Sequence, residues 1–253
     1  MFSKHPDDAA LARRVAEAVR KAGGRAFFVG GCVRDALMGR QQKDYDIEVY
    51  GLLPADLRSA LAPLGEVFDK GAAFSVLGIR HSDLDIAMPR RETLTGVKHT
   101  DFDIAADPYL SFETACSRRD FTVNAMLRDV LTGEIIDPYG GQKDLKNKVL
   151  RPVSAATFGE DPLRVFRAGQ FAARLGFRVT EDGLELCRGM EVTHLSRERV
   201  YEETIKALTG KRCPFGLLPF SAGMRPSEGV FPRGGGAHRR TAEPRLPSRG
   251  RCV

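Results

Sequence analysis

The chain has 253 residues, a net charge of +6 and 42% hydrophobic side chains, enough to bury a core in one or two domains. No apolar run approaches the roughly 20 residues that cross a bilayer, which excludes a membrane-spanning helix, and no basic-then-apolar leader opens the chain. Five scattered cysteines (Cys32, Cys116, Cys187, Cys213, Cys252) form no CxxC pair, which argues against a zinc site or disulfide frame and for reduced thiols in the cytoplasm.

Asp7 to Lys21 reads as an amphipathic helix with Leu11, Val15 and Val19 on one stripe, ended by Gly23-Gly24. Ala26–Val29 is a short buried strand that runs into Gly30-Gly31, and a brief helix follows from Val33 to Met38. Tyr45–Tyr50 alternates like a strand, and Pro54–Leu64 is helical with proline in its first turn. Strands are predicted near Ser75–Ile79 and Leu84–Met88; Arg90–Ser111 shows no clear period and reads as a long loop. Phe121–Leu127 is a buried apolar segment, and Leu131–Glu134 a hairpin turn. From Gly141 helices dominate, one starting at Asp161-Pro162 and stopping at Gly176, then Glu181–Met190 and Arg197–Leu208. Residues 211–253 carry eight Arg and one Lys against two Glu, net +7, which leaves −1 for residues 1–210. With 13 Gly and Pro in 43 positions and no apolar period, that tail reads as disordered. RNA affinity in the body must therefore come from local patches rather than bulk charge.

Three constellations carry chemistry. In the first, Gly30 and Gly31 after a strand let a phosphate approach the backbone, and Arg34 adds a cation one turn later. Asp44 and Asp46, two apart on one strand, project to the same face as a pair of carboxylates suited to a divalent metal. Each piece alone reads as a tight turn with a satisfied Arg–Asp pair, or as two solvated strand carboxylates; their order and close spacing together favour the chemical reading. A third carboxylate on a neighbouring strand is assigned to Asp85 rather than Asp83, because Leu84 and Ile86 then share the core face. In the second, Arg118 and Arg119 can grip phosphates while Asp120 and Asn124 orient them or bond a ribose. In the third, Asp161, Arg164 and Arg167 recur every three residues on one helix face, and an acceptor beside a guanidinium donor can pair with a base edge. By itself that last pattern reads as an N-cap with an ordinary intrahelical ion pair.

These blocks, with Ile136-Asp137-Pro138-Tyr139-Gly140-Gly141 between the second and third, resemble the tRNA nucleotidyltransferase (CCA-adding) and poly(A) polymerase family of the polymerase-beta superfamily, over about Phe28 to Leu208. The resemblance implies an α+β fold: a polymerase-beta-like nucleotidyltransferase head of mixed sheet and flanking helices at 1–139, then an all-helical neck at 140–210. It implies addition of CCA to tRNA 3′ ends from CTP and ATP, with Mg2+ on Asp44 and Asp46. Gly31 and Arg34 would hold the triphosphate, and Arg119, Asp120 and Asn124 would lie at ribose and phosphates. Asp161 and Arg164 would select the base, with Arg167 as a further contact. The segment Arg90–Ser111 would be the flexible element used in switching from C to A. Where relatives often carry a second arginine three residues beyond Arg167, this chain has Gln170. The alternatives are a poly(A) polymerase, or a truncated, inactive RNA- or nucleotide-binding remnant whose basic tail gives sequence-blind affinity, since relatives continue into tRNA-holding helices where the tail here is rich in Arg, Pro and Gly.

Overall fold

The computed structural model describes residues 8–40, 44–71, 76–94 and 102–209. The tail at 211–253 and the loop histidine His99 lie outside the described residues. Helix α1 (Asp8–Lys21) buries Ala12, Val15, Ala16 and Val19, with Asp8 in its first turn and Arg20 and Lys21 in its last, which complements the helix dipole. Strand β1 (Arg25–Val29) passes through Gly30 into α2 (Gly31–Leu37). After β2 (Asp46–Tyr50), Pro54 opens α3 (Pro54–Leu61), followed by β3 (Val67–Gly71), β4 (Val76–Ile79) and β5 (Asp85–Ala87).

The segment read as a loop holds a hairpin instead: β6 (Arg90–Leu94) pairs antiparallel with β7 (Phe102–Ala106). The alternation Phe102, Ile104, Ala106 was its sequence signal, and it is short enough to be lost beside the polar run Arg90-Arg91-Glu92-Thr93. Helix α4 (Phe112–Ser117), capped by Ser111, precedes a 3-10 turn at Thr122–Asn124 and then β8 (Leu127–Asp129) and β9 (Ile135–Ile136). Asp129 Oδ1 accepts from the amides of Leu131 and Thr132 and shapes the turn between those strands.

Seven strands form one mixed sheet in the order β3-β4-β5-β2-β1-β8-β9, with β2 and β5 parallel and the other neighbours antiparallel. One face packs α1 and α3 through Val15, Val19, Ile47, Leu57, Leu61 and Ile86. The other carries Phe27, Tyr50 and Leu127 against α4, where the rings of Phe27, Tyr50 and Phe112 meet at 4.9–5.5 Å.

The second half is mainly helical: α5 (Gly141–Lys146), α6 (Ala155–Phe158), α7 (Leu163–Phe171), a π-helical turn at Ala172–Gly176, α8 (Glu181–Gly189) and α9 (Arg197–Leu208). A short parallel pair, β10 (Val149–Leu150) with β11 (Arg178–Val179), interrupts it. Its core joins Phe158, Val165, Phe171 and Phe177 to Phe121 and Val123 of the sheet half, so one apolar cluster spans both halves. Gly141 shows how closely they meet, since a Cβ there would lie within 2.2 Å of the Thr122 carbonyl oxygen.

Candidate active site

At the end of β1 the chain must turn sharply into α2, and Gly30 does so at φ 70°, a region side-chain-bearing residues avoid. A Cβ at Gly30 would also lie 3.1 Å from Nη1 of Arg119. The turn therefore keeps bare backbone at the wall of a cavity of about 420 Å³. Gly31, Arg34 and Asp46 line the same wall; Arg119, Asp120 and Asn124 approach from the second block, and Asp161, Arg164 and Arg167 from the third. Three blocks separated in sequence thus share one space.

A hydrogen-bonded chain of side chains ties them. Arg34, 2% exposed, donates from Nε to Asp35 Oδ1 at 2.8 Å and from Nη1 to Asn124 Oδ1 at 2.6 Å. Asn124 passes a bond from Nδ2 to Asp120 Oδ1 at 2.9 Å, and that oxygen also accepts the Phe121 amide at 2.7 Å. Arg167 Nε donates to Asp120 Oδ2 at 2.8 Å. Burial by itself would raise the Asp120 pKa, but Arg167, Asn124 and the Phe121 amide more than offset it and hold the carboxyl below its usual range.

Asp46 stands at the solvent edge of the cavity. Surrounding protein mass, then Asp85 and Asp44, raise its pKa above the usual carboxylate range, while Arg119 and Lys70 pull the other way. Asp46 and Asp85 are register partners on the parallel strands β2 and β5. Asp85 is ion-paired to Lys70 at 2.5 Å. The expectation that Asp44 and Asp46 share a strand needs correcting: β2 begins at Asp46, and Asp44 sits in the irregular segment before it. Asp44 and Asp85 do not line the cavity. Among the described residues no group of three or more His, Cys, Asp or Glu is gathered for a metal ion.

Asp161 stands just before α7, its Oδ1 accepting the Leu163 amide at 3.1 Å and its Oδ2 lying 3.5 Å from Arg199 Nη2 of α9. Arg164 Nη1 and Nη2 donate to the carbonyl oxygens of Thr157 and Arg118, fixing the guanidinium plane across the junction of the two halves.

Sequence reasoning passed over several residues. Glu48, two positions along β2 from Asp46 and 3% exposed, accepts Arg119 Nη2 at 2.8 Å and the Tyr50 hydroxyl at 3.0 Å. An acid inside the apolar run Ile47–Tyr50 was its signal. Glu203 and Lys206 of α9 line the cavity and pair at 2.8 Å, and the buried Oε2 of Glu203 has no hydrogen-bond partner among the described residues. Arg174 lines it too. Nothing local in the sequence separated these from ordinary surface charge on a helix.

Residues 26–151 match the family described as the poly(A) polymerase head domain. Among solved structures, the Bacillus stearothermophilus CCA-adding enzyme in complex with CTP is 30% identical with a TM-score of 0.70, over 87% of this chain and 52% of that one. A tRNA nucleotidyltransferase complexed with a primer tRNA and an incoming ATP analogue is 31% identical with a TM-score of 0.66, over 82% and 60%. The Thermotoga maritima CCA-adding enzyme complexed with tRNA(CCA) is 25% identical with a TM-score of 0.70, over 87% and 52%. The chain spans between 52% and 60% of the length of these structures. The seven-stranded sheet with flanking helices is a polymerase-beta-like nucleotidyltransferase head. From sheet, site and comparisons together, the chain belongs to the family of CCA-adding enzymes and poly(A) polymerases.

Proposed function

We propose that this chain binds CTP and ATP in the cavity between its two halves and transfers their nucleotidyl groups to the 3′ end of tRNA, building CCA. The observation that carries the reading is the convergence of the Gly30-Gly31 turn, Asp46, Arg119 and the Asp161/Arg164 pair on one space. Solved relatives bound to CTP, to an ATP analogue and to tRNA support it.

The donor set fits a hard divalent cation such as Mg2+. Asp46 and Asp85 sit in register on adjacent strands, and Asp44 is close enough to raise the Asp46 pKa. Magnesium commonly takes one or two carboxylates and completes its shell with water and substrate phosphates, so a closed protein cage is not required. Asp46, joined by Asp44 or Asp85, would hold the ion, which when bound neutralises phosphate charge and activates the attacking hydroxyl.

The chain's own residues position the substrates. Gly30 and Gly31 offer backbone to the triphosphate, Arg34 and Arg119 oppose its charge, and Glu48 aims Arg119. The Asp120–Asn124–Arg34 network holds these groups before substrate arrives. Cytosine and adenine each offer an amino donor beside a ring-nitrogen acceptor, which matches an Asp161 acceptor beside an Arg164 donor; uracil offers a carbonyl beside an N–H, which does not. A guanidinium carries five N–H donors, so the bonds that fix Arg164 to the backbone leave others for a base. Cys32, Cys116 and Cys187 are buried thiols outside any disulfide among the described residues, in keeping with a cytoplasmic protein.

The test is addition to a tRNA lacking its terminal triplet, with labelled CTP, ATP or both. Two C residues followed by one A are expected. Polyadenylation is the second reading, favoured by the match of residues 26–151 to the poly(A) polymerase head; long A tracts and poor use of CTP would establish it. Absence of any Mg-dependent incorporation would overturn both.

A further inference from the structure

Arg167, Phe171 and Arg174 lie at i, i+4 and i+7 along α7 and the π-helical turn, so they share one face. Arg34 reaches the same ring from α2. The three guanidinium carbons stand 5.1 Å (Arg167), 5.2 Å (Arg34) and 5.4 Å (Arg174) from the Phe171 centroid. A single phenyl quadrupole attracts cations weakly and cannot neutralise three of them. Two have other partners: Arg34 is held by Asp35 and Asn124, and Arg167 by Asp120. Arg174, half-buried, lines the cavity against the ring, and among the described residues no hydrogen bond or ion pair holds its guanidinium. Burial, then the charges of Arg34, Arg40 and Arg167, hold its pKa below the usual range, with Asp35 opposing them.

An unpaired cation crowded by like charges destabilises the ligand-free protein and becomes favourable when an anion enters. The Gly30-Gly31 turn lies in the same cavity, so the anion expected there is a polyphosphate. We propose that Arg174 is a polyphosphate-binding residue, seated on Phe171 between Arg34 and Arg167 and left without an acidic partner so that its charge serves the phosphates of a bound nucleotide. The inference rests on the nucleotide reading of the cavity and adds a residue that the three sequence blocks do not contain.

The arrangement gives two effects of opposite sign. In the full chain, without divalent metal, R174Q should melt at a higher temperature than wild type in the absence of ligand. It should bind inorganic tripolyphosphate and ATP roughly tenfold more weakly, the loss expected for one charge-assisted hydrogen bond, with AMP changed much less. R174K, which keeps the charge, should recover most of the tripolyphosphate affinity. Wild-type affinity for tripolyphosphate in R174Q, or equal losses for AMP and ATP, overturns the inference while leaving nucleotide binding intact. A lower melting temperature in both R174Q and R174K, with no selective loss of tripolyphosphate, assigns Arg174 a packing role and overturns it as well. Failure of the wild-type chain to bind either tripolyphosphate or ATP would sink the nucleotide reading itself, and this role of Arg174 with it.

Discussion

Single side chains in the cavity carry opposite electrostatic loads. Asp46 faces Asp85 and Asp44 with a raised pKa, the state of an acid that gains from a cation. Asp46→Asn should leave a folded protein whose nucleotide addition falls by at least about a hundredfold, because metal stabilisation is worth several kcal/mol and about 1.4 kcal/mol is tenfold in rate. Incorporation assays beside circular dichroism check this, and near-normal turnover would count against the site. Asp120 is the reverse case. Its folded pKa lies below the ordinary 3.8, so the stability it contributes is present above about pH 4 and is lost as pH falls through the lower folded value. Asp120→Asn should cost about 2 kcal/mol at pH 7, at the low end for a buried pair because Arg167 is one-third exposed. Urea melts should show the gap between variant and wild type closing below about pH 4; a gap that persists in acid would mean the carboxylate charge is not its source. The identities of both residues were plain in the sequence. Their opposite environments were not, because a pKa depends on neighbours that folding brings from 39 and 47 positions away, Asp85 and Arg167.

Elements aim these groups. Helix α7 starts just after Asp161 and ends in the π-helical turn, carrying Arg164 and Arg167 on the face that meets Arg118 and Asp120 of the sheet half. Phe171 is the pivot of that face: it is 5% exposed, meets Phe121 edge-to-face at 6.0 Å and supports three guanidiniums. Phe171→Ala should destabilise the protein by about 3 kcal/mol, as large-to-small core changes do, and should also weaken ATP binding by loosening Arg34 and Arg167. Phe171→Leu should recover stability more fully than nucleotide affinity, since it restores apolar volume without a ring. Chemical denaturation and ATP titration of the two variants separate these effects, and parallel recovery of both quantities would refute the pivot role. Periodicity revealed α1, α7, α8 and α9, whose stripes are long enough to read. It missed β3, α4 and the β6–β7 hairpin because each is a stretch of five or six residues interrupted by charged side chains, whereas β1, equally short, holds the unbroken apolar run Ala26–Val29.

At the scale of the whole molecule, one apolar cluster runs from Phe121 and Val123 into Phe158, Val165 and Phe177, so the cavity between the halves has a shared floor rather than a loosely packed hinge. Charge is distributed quite differently. Residues 1–210 carry net −1 and residues 211–253 net +7. Deleting 211–253 should flatten the salt dependence of RNA binding, by roughly 0.7 in slope for each phosphate of a single strand that the tail no longer neutralises, while ATP affinity in the cavity stays near wild type. Filter binding across a salt series tests this, and an unchanged slope would place RNA binding within the first 210 residues. The sequence by itself determined the residue types, their order and the family they indicate, because glycines, carboxylates and arginines at fixed local spacing are constrained by backbone geometry. Only the tertiary structure decided that Asp46 has Asp85 as its register partner, that Glu48 holds Arg119, and that Arg174 faces the cavity. Those relations join distant segments through sheet register and helix packing, and short-range periodicity carries no information about either.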